Sequence, residues 1–290
     1  MKNVSIFILF LLVLPNQDDS LKYLGQQPPG MTPEVFAPGI VSKPDAYEYG
    51  SVFSKDGTEF YYGVDLGNRA EIRYMVLKNK KWTAPKAIIS NTVYSYNDPF
   101  LSPDEQELYF ISNHPKSGAD PKKDYDIWYV KKQKGKWSLP INAGTEINSD
   151  SNEYYMSFSK NNTMYFSSNK SDKNNFDIYT SDRVNGKYQK AKSLSTAINT
   201  RAYEADVFVA PDESYVIFCS VRQAGLGRGD LYISFKQEDG SWTAAKNMGN
   251  KINSSGHELC PFVSADGKYL FYTSRKDIYW VDAKIIELYK

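Results

Sequence analysis

Five near-copies of one short pattern punctuate this chain, and no other feature restricts its fold as strongly. They are SKDGTEFYYGV from Ser54, SPDEQELYFISN from Ser102, SKNNTMYFSSN from Ser159, APDESYVIFCSVR from Ala210 and SADGKYLFYTSR from Ser264. The anchors lie 48, 57, 51 and 54 positions apart. A period near fifty residues is the mark of a repeated supersecondary unit that cannot bury its own apolar faces.

Each unit has the same internal order. A short apolar strand ends at the anchor (SVFS, PFLS, MSFS, VFVA, PFVS) and is followed by a turn rich in Asp, Asn and Gly, residues that accept turn geometry. An aromatic strand comes next, then a loop of variable length, then a third strand opened by an acid: Glu71, Asp126, Asp177, Asp230 or Asp277. A second turn leads to a fourth strand marked by Trp82, Trp137, Tyr188 or Trp242. Four antiparallel strands in about fifty residues is the content of one propeller blade.

The sequence therefore predicts an all-β, five-bladed β-propeller of four-stranded antiparallel blades. A six-bladed ring is the alternative, but it needs a unit for which no residues remain. The fifth unit lacks its fourth strand, and residues 35–42 (VFAPGIVS) parallel residues 82–90 (WTAPKAIIS). An N-terminal strand is thus expected to complete the last blade, which also removes the open edges that invite aggregation. Tyrosine is abundant, at 23 residues, and suits half-buried pleated surfaces.

The repeats SPDEQELYFIS and SADGKYLFYTSRKDIYW resemble the WD40-like, PD40-type propeller repeat of TolB-like exported proteins, with the Ser-x-Asp-Gly core kept best at residues 264–271. The resemblance runs from about residue 48 to residue 281. It implies an architecture shared with periplasmic protein-binding propellers and cell-wall-associated modules. Oligogalacturonate lyases are related propellers, but their metal-binding histidines have no counterpart when only His114 and His257 are present. The sialidase pattern Ser-x-Asp-x-Gly-x-x-Trp is also missing from the sequence.

Lys2 followed by the apolar run Val4 to Leu14 is too short to span a bilayer and has the form of a secretory signal. The expected organisation is a signal peptide over residues 1–20, an N-terminal extension with the ring-closing strand over residues 21–45, and the propeller over residues 46–290. An exported protein of the periplasm or cell envelope follows, with no transmembrane span after signal removal. The formal net charge of +1 gives no general attraction to nucleic acid. Cys219 and Cys260 sit inside apolar strand patterns and are read as two buried thiols rather than a disulfide.

Tight turns occupy one face of such a ring, and the blade connections with the variable loops occupy the other, where recognition resides. The acids that recur in all five units are read as structural, because a ligand site needs its residue once. Glu48, Glu153, Glu204 and Glu258 recur in four units, six positions before the anchor, and are placed near the central channel. Blade two breaks that pattern with Asn97 and Asp98, and blade four adds Asp206. Arg222, Arg275 and Lys170 are the expected neutralising partners, and His114 and His257 are the non-repeating titratable groups on this face. The candidate ligand-binding set is thus Glu48, Asp98, His114, Glu153, Glu204, Asp206, Arg222, His257, Glu258 and Arg275. No catalytic residue is assigned.

The expected function is binding of an envelope protein, peptide or glycan without catalysis, aided by the aromatic residues Tyr94, Tyr96, Tyr154 and Tyr203. No cofactor is required, although oxygen ligands at the mouth would suit a divalent cation. The alternative is a carbohydrate-active lyase or hydrolase using two mouth carboxylates, and an inert envelope module is a third possibility.

Overall fold

The computed structural model describes residues 19–115 and 124–290. The signal segment expected over residues 1–20 lies almost wholly outside the described residues, as do residues 116–123 of the long loop in blade two. No helix among the described residues is long and apolar enough to cross a membrane.

Five antiparallel sheets form the five blades of a propeller. Blade one holds strands Tyr47–Phe53, Glu59–Asp65 and Ala70–Lys78, with Lys86–Ile89 outermost. Blade two repeats this with Tyr96–Leu101, Glu107–Ser112, Asp126–Gln133 and Ile141–Asn142. Blade three uses Glu153–Phe158, Met164–Asp172, Asn175–Ser181 and Lys192–Ser193, and blade four Tyr203–Val209, Tyr215–Val221, Asp230–Phe235 and Lys246–Asn247. Blade five has Leu259–Val263, Tyr269–Ser274 and Asp277–Asp282, and its outermost strand is Glu34–Val35.

The ring closes through the N-terminal segment, but earlier in the sequence than the parallel with residues 82–90 suggests. Glu34 lies opposite Trp280 and Val35 opposite Tyr279, and the Phe36 N–H donates to the Ile278 carbonyl at 2.7 Å. Residues 37–42 then turn, with Val41 N–H bonded to Ala37 O at 2.9 Å. This matches the turn in blade two where Asn148 N–H reaches Gly144 O at 2.9 Å. Phe36 is fully buried against Phe53, Phe60, Phe271 and Trp280, so the closing segment joins blade five to blade one by packing as well as by backbone bonds.

The fourth strands also begin later than their tryptophans. Trp82 and Trp137 pair with the far end of their third strands, at Leu77 and Lys132, as short ribbons. The outer strand proper resumes after Pro85 and Pro140, whose missing N–H interrupts the ladder.

The repeated motif is explained by its hydrogen bonds. Ser54 Oγ donates to Asp56 and accepts from Glu59 N–H, and the same pattern joins Ser102 to Asp104 and Glu107, and Ser264 to Asp266 and Tyr269. The side chains thereby close the turn between the first two strands. The recurring acid opening the third strand ties that strand outward: Asp126 accepts from Asn142 Nδ2 at 2.9 Å, and Asp230 from Asn247 Nδ2 at 2.7 Å.

Candidate functional site

Every innermost strand is broken at the same point. The pairing slips between Tyr49 and Ser51, Asn97 and Phe100, Tyr154 and Met156, Ala205 and Phe208, and Leu259 and Phe262. The residue at each slip has positive φ: Gly50 (53°), Asp98 (51°), Tyr155 (33°), Asp206 (52°) and Cys260 (52°). All five lie four positions before the repeat anchor. A bulge leaves its extra residue unpaired and re-aims the side chain. Four non-glycine residues held in this conformation at one level of a ring amount to stored backbone strain, which the packed blades sustain. Pro99 and Pro261 follow two of the slips, where no ladder N–H is required.

Gly, Asp, Tyr, Asp and Cys occupy this one structural place in the five blades, so the bulge presents a carboxyl group in blades two and four only. The side chains meet across the ring: Cys260 Sγ lies 3.6 Å from Asp98 Oδ1, and the Tyr155 hydroxyl donates to Pro261 O at 2.7 Å. A Cβ on Gly50 would approach Asp98 Oδ1 to 2.7 Å, so glycine there leaves room for the carboxyl.

A cavity of about 440 Å³ opens above these residues on the loop-rich face. Asp98, Asp206, Cys260 and Asn97 contribute to its lining, and Tyr47, Tyr49, Tyr125 and Tyr154 are among its walls. Two tyrosine pairs face the opening, with ring centres 5.2 Å apart for Tyr47 and Tyr49 and 5.6 Å for Tyr125 and Tyr154. The Tyr49 hydroxyl donates to Asn97 Oδ1. Burial raises the Asp98 carboxyl to about 8, and the neighbouring Asp206 adds to the effect. Asp206 is more open to solvent and is raised to about 6, also by burial. Burial holds the Cys260 thiol well above its usual range, and both cysteines are free.

The recurring glutamates do something else. Glu153 accepts from Ser149 N–H (3.0 Å), Ser149 Oγ (2.7 Å) and Ser168 Oγ (2.7 Å). Glu258 is held in the same way by Ser254 and Ser274, and Glu204 by Thr200 and Ser220. Each therefore fastens the incoming blade connection to the second strand of its own blade. Glu48 accepts from Lys43 N–H at 3.4 Å. All four are at most 1% exposed, so they lie beneath the mouth and do not line it.

Arg222 pairs with Glu204 at 3.3 Å and lies 4.5 Å from the centre of the Tyr232 ring. Lys170 sits over Tyr179, 3.9 Å from its centre, and Arg275 is exposed at the start of a turn. His257 Nε2 contacts Cys219 Sγ at 3.3 Å, away from the cavity, and burial lowers its pKa. His114 packs against Tyr94 and Trp128, with Nδ1 2.8 Å from Pro115 O. Of the ten predicted residues, the structure brings Asp98 and Asp206 together at the cavity and distributes the other eight around it or below it.

The residues that the sequence reading passed over are Gly50, Tyr155, Cys260, Tyr47, Tyr49 and Tyr125. The bulge residues share the position four before the anchor, which only the backbone conformation sets apart; nothing in the repeat singles out Tyr47, Tyr49 or Tyr125. Among the described residues no group of three or more His, Cys, Asp or Glu side chains converges as a metal site.

No family model and no curated protein matches the chain. Solved structures do match. TolB from Acinetobacter baumannii superposes with a TM-score of 0.54 at 14% identity, covering 83% of this chain and 55% of that one. TolB from Agrobacterium tumefaciens gives 0.52 at 15% identity, covering 81% and 72%. A protein of unknown function from Dyadobacter fermentans gives 0.52 at 16%, covering 88% and 83%. The chain spans about half the length of the first of these, and the likeness is one of fold.

Proposed function

We propose, from the premise that this chain is a TolB-like β-propeller, that it is an exported, non-enzymatic binding module whose loop-face cavity receives part of an envelope protein, peptide or glycan. One observation carries the reading: two of the five equivalent bulges place a carboxyl group, each with its pKa raised by burial, in the tyrosine-walled cavity on the loop-rich face. Tyrosine walls beside them offer rigid, amphipathic contact area at low entropic cost.

The test is an envelope pull-down together with a glycan array, each run with and without chelator. The account expects retention that weakens in Asp98→Asn and Asp206→Asn, with no consumption of the bound molecule. A chelator-sensitive signal would mean that the ligand brings a divalent cation with it. The alternative, a carbohydrate-active enzyme, draws on the two acids with raised and unequal pKa values, an arrangement suited to dividing acid and base roles. Turnover of a retained glycan, lost in either Asn variant, would favour it.

A further inference from the structure

The cavity contains a mismatch. Asp98 is only 7% exposed, and its side chain has a single polar partner among the described residues, the Cys260 thiol at 3.6 Å. The charges that bear on it are the carboxyl of Asp206 and the Cys260 thiol, and neither is cationic. Arg69 and the exposed Asp65 also line the cavity, but neither is among the groups that shift Asp98 or Asp206, and the Arg69 Nε donates to the Asn91 carbonyl at 2.5 Å. A nearly buried carboxyl facing a second acid normally occurs beside an offsetting cation. Other buried acids are satisfied: Glu107 is gripped by Arg183 through bonds of 2.6 and 3.0 Å, and Glu153 and Glu258 each accept three hydrogen bonds.

The walls around the two acids are aromatic. Tyr47 and Tyr49 come from blade one, Tyr125 from blade two and Tyr154 from blade three, while Asp98 and Asp206 come from blades two and four. Ring faces attract an organic cation through their quadrupole, and carboxylates supply the counter-charge. A divalent metal ion requires more oxygen ligands than this group presents.

Building on the binding-module reading, we propose that the cavity is a receptor for a singly charged organic cation, an ammonium or guanidinium group, held by Asp98 and Asp206 between the two tyrosine pairs. The shared chemistry is that of a lysine or arginine side chain on a partner and that of a free alkylamine. On entry, the cation draws off the proton that Asp98 retains in the empty cavity. Binding should therefore strengthen as pH rises from about 6 to about 8 and should release a proton. The other titratable groups facing this carboxyl are Cys260, Tyr47, Tyr49, Tyr154 and Tyr155, and burial holds their protons on across that range.

The experiment is calorimetric titration of the full chain with N-acetyl-lysine methylamide, N-acetyl-arginine methylamide and the neutral isostere N-acetyl-norleucine methylamide, up to about 10 mM. The expected result is at least about tenfold tighter binding of a cationic probe than of the isostere, weakened about tenfold or more in Asp98→Asn and in Asp206→Asn. Heats measured in buffers of different ionisation enthalpy should report proton release. Butylamine run in parallel separates a free amine from a side chain presented on peptide: tighter amidated probes indicate a peptide source, and equal affinities a free amine. Either outcome supports the cation. Equal affinity for the isostere, absence of binding by every cationic probe, or full affinity in both folded Asn variants would overturn it. An envelope partner retained equally by wild type and both variants would sink the cation while leaving a binding module in place. Loss of all retention from wild type would sink the module itself.

Discussion

Asp98 is a side chain that weakens the fold it belongs to as pH rises. Its folded pKa, about 8, lies above the value near 4 of an unfolded chain. Between those two values the native state binds more protons than the unfolded state, so stability falls as pH rises through the window. Asp98→Asn removes that dependence. The variant is expected to match the wild type near pH 4 and to exceed it by on the order of 2–4 kcal/mol at pH 8, as read by urea denaturation at both pH values. An equal difference at the two pH values would contradict the assignment. The same residue marks what the repeats could reveal. Asp98 and Asp206 stood out because they interrupt a pattern. Glu153, Glu204 and Glu258 were placed at the channel because their spacing is regular, but a bulge two residues later changes which side chain points inward. Periodicity locates a strand, whereas a one-residue slip within it depends on backbone geometry that no residue type announces.

At the scale of elements, the blade connections are held by side chains and not by a longer ladder. Asn148, Asn199 and Asn253 each bond both the N–H and the carbonyl of a third-strand residue, at Ile127, Ile178 and Leu231, over 2.8–3.0 Å. This is why Ile-Asn followed by Ser or Thr recurs at residues 147–149, 198–200 and 252–254. Replacing Asn253 by Ala leaves the Leu231 N–H without a partner, while the Leu231 carbonyl keeps the Met248 N–H at 3.0 Å, and should cost about 1–3 kcal/mol in urea unfolding. Blades two and three are also joined by Arg183 and Glu107, whose side chains are 18% and 8% exposed. Arg183→Ala leaves Glu107 with Lys131 at 3.3 Å and the Tyr109 hydroxyl and should cost about 1–3 kcal/mol, whereas the double variant Arg183→Met with Glu107→Leu should recover most of that loss. A loss in the double variant equal to the sum of the two single losses would show that the pair acts independently.

Over the whole molecule, a ring of five sheets is only as stable as its seam. The seam was legible from the missing fourth strand of the last unit, but its register was not. The Ala-Pro pairs at residues 37–38 and 84–85 align in sequence while serving different parts of the two edges. Phe36 carries the closure through its backbone bond and its four aromatic neighbours, so Phe36→Ala should cost about 3–5 kcal/mol. Hydrogen exchange should localise the loosening to residues 277–282 and to the facing strand of blade one, and uniform exchange around the ring would argue against a seam at this place. Function at this scale depends on which end of the channel is used. The opposite face carries its own apolar opening, near Phe53, Phe100 and Phe262 beside Asn162. The most direct measurement is site-specific photo-crosslinking of the partner from a probe at Tyr154 in the mouth and from one at Asn162 on the far face. The account predicts capture from position 154, abolished by Asp98→Asn with Asp206→Asn, and none from position 162. Capture from position 162 that ignores both aspartates would contradict it.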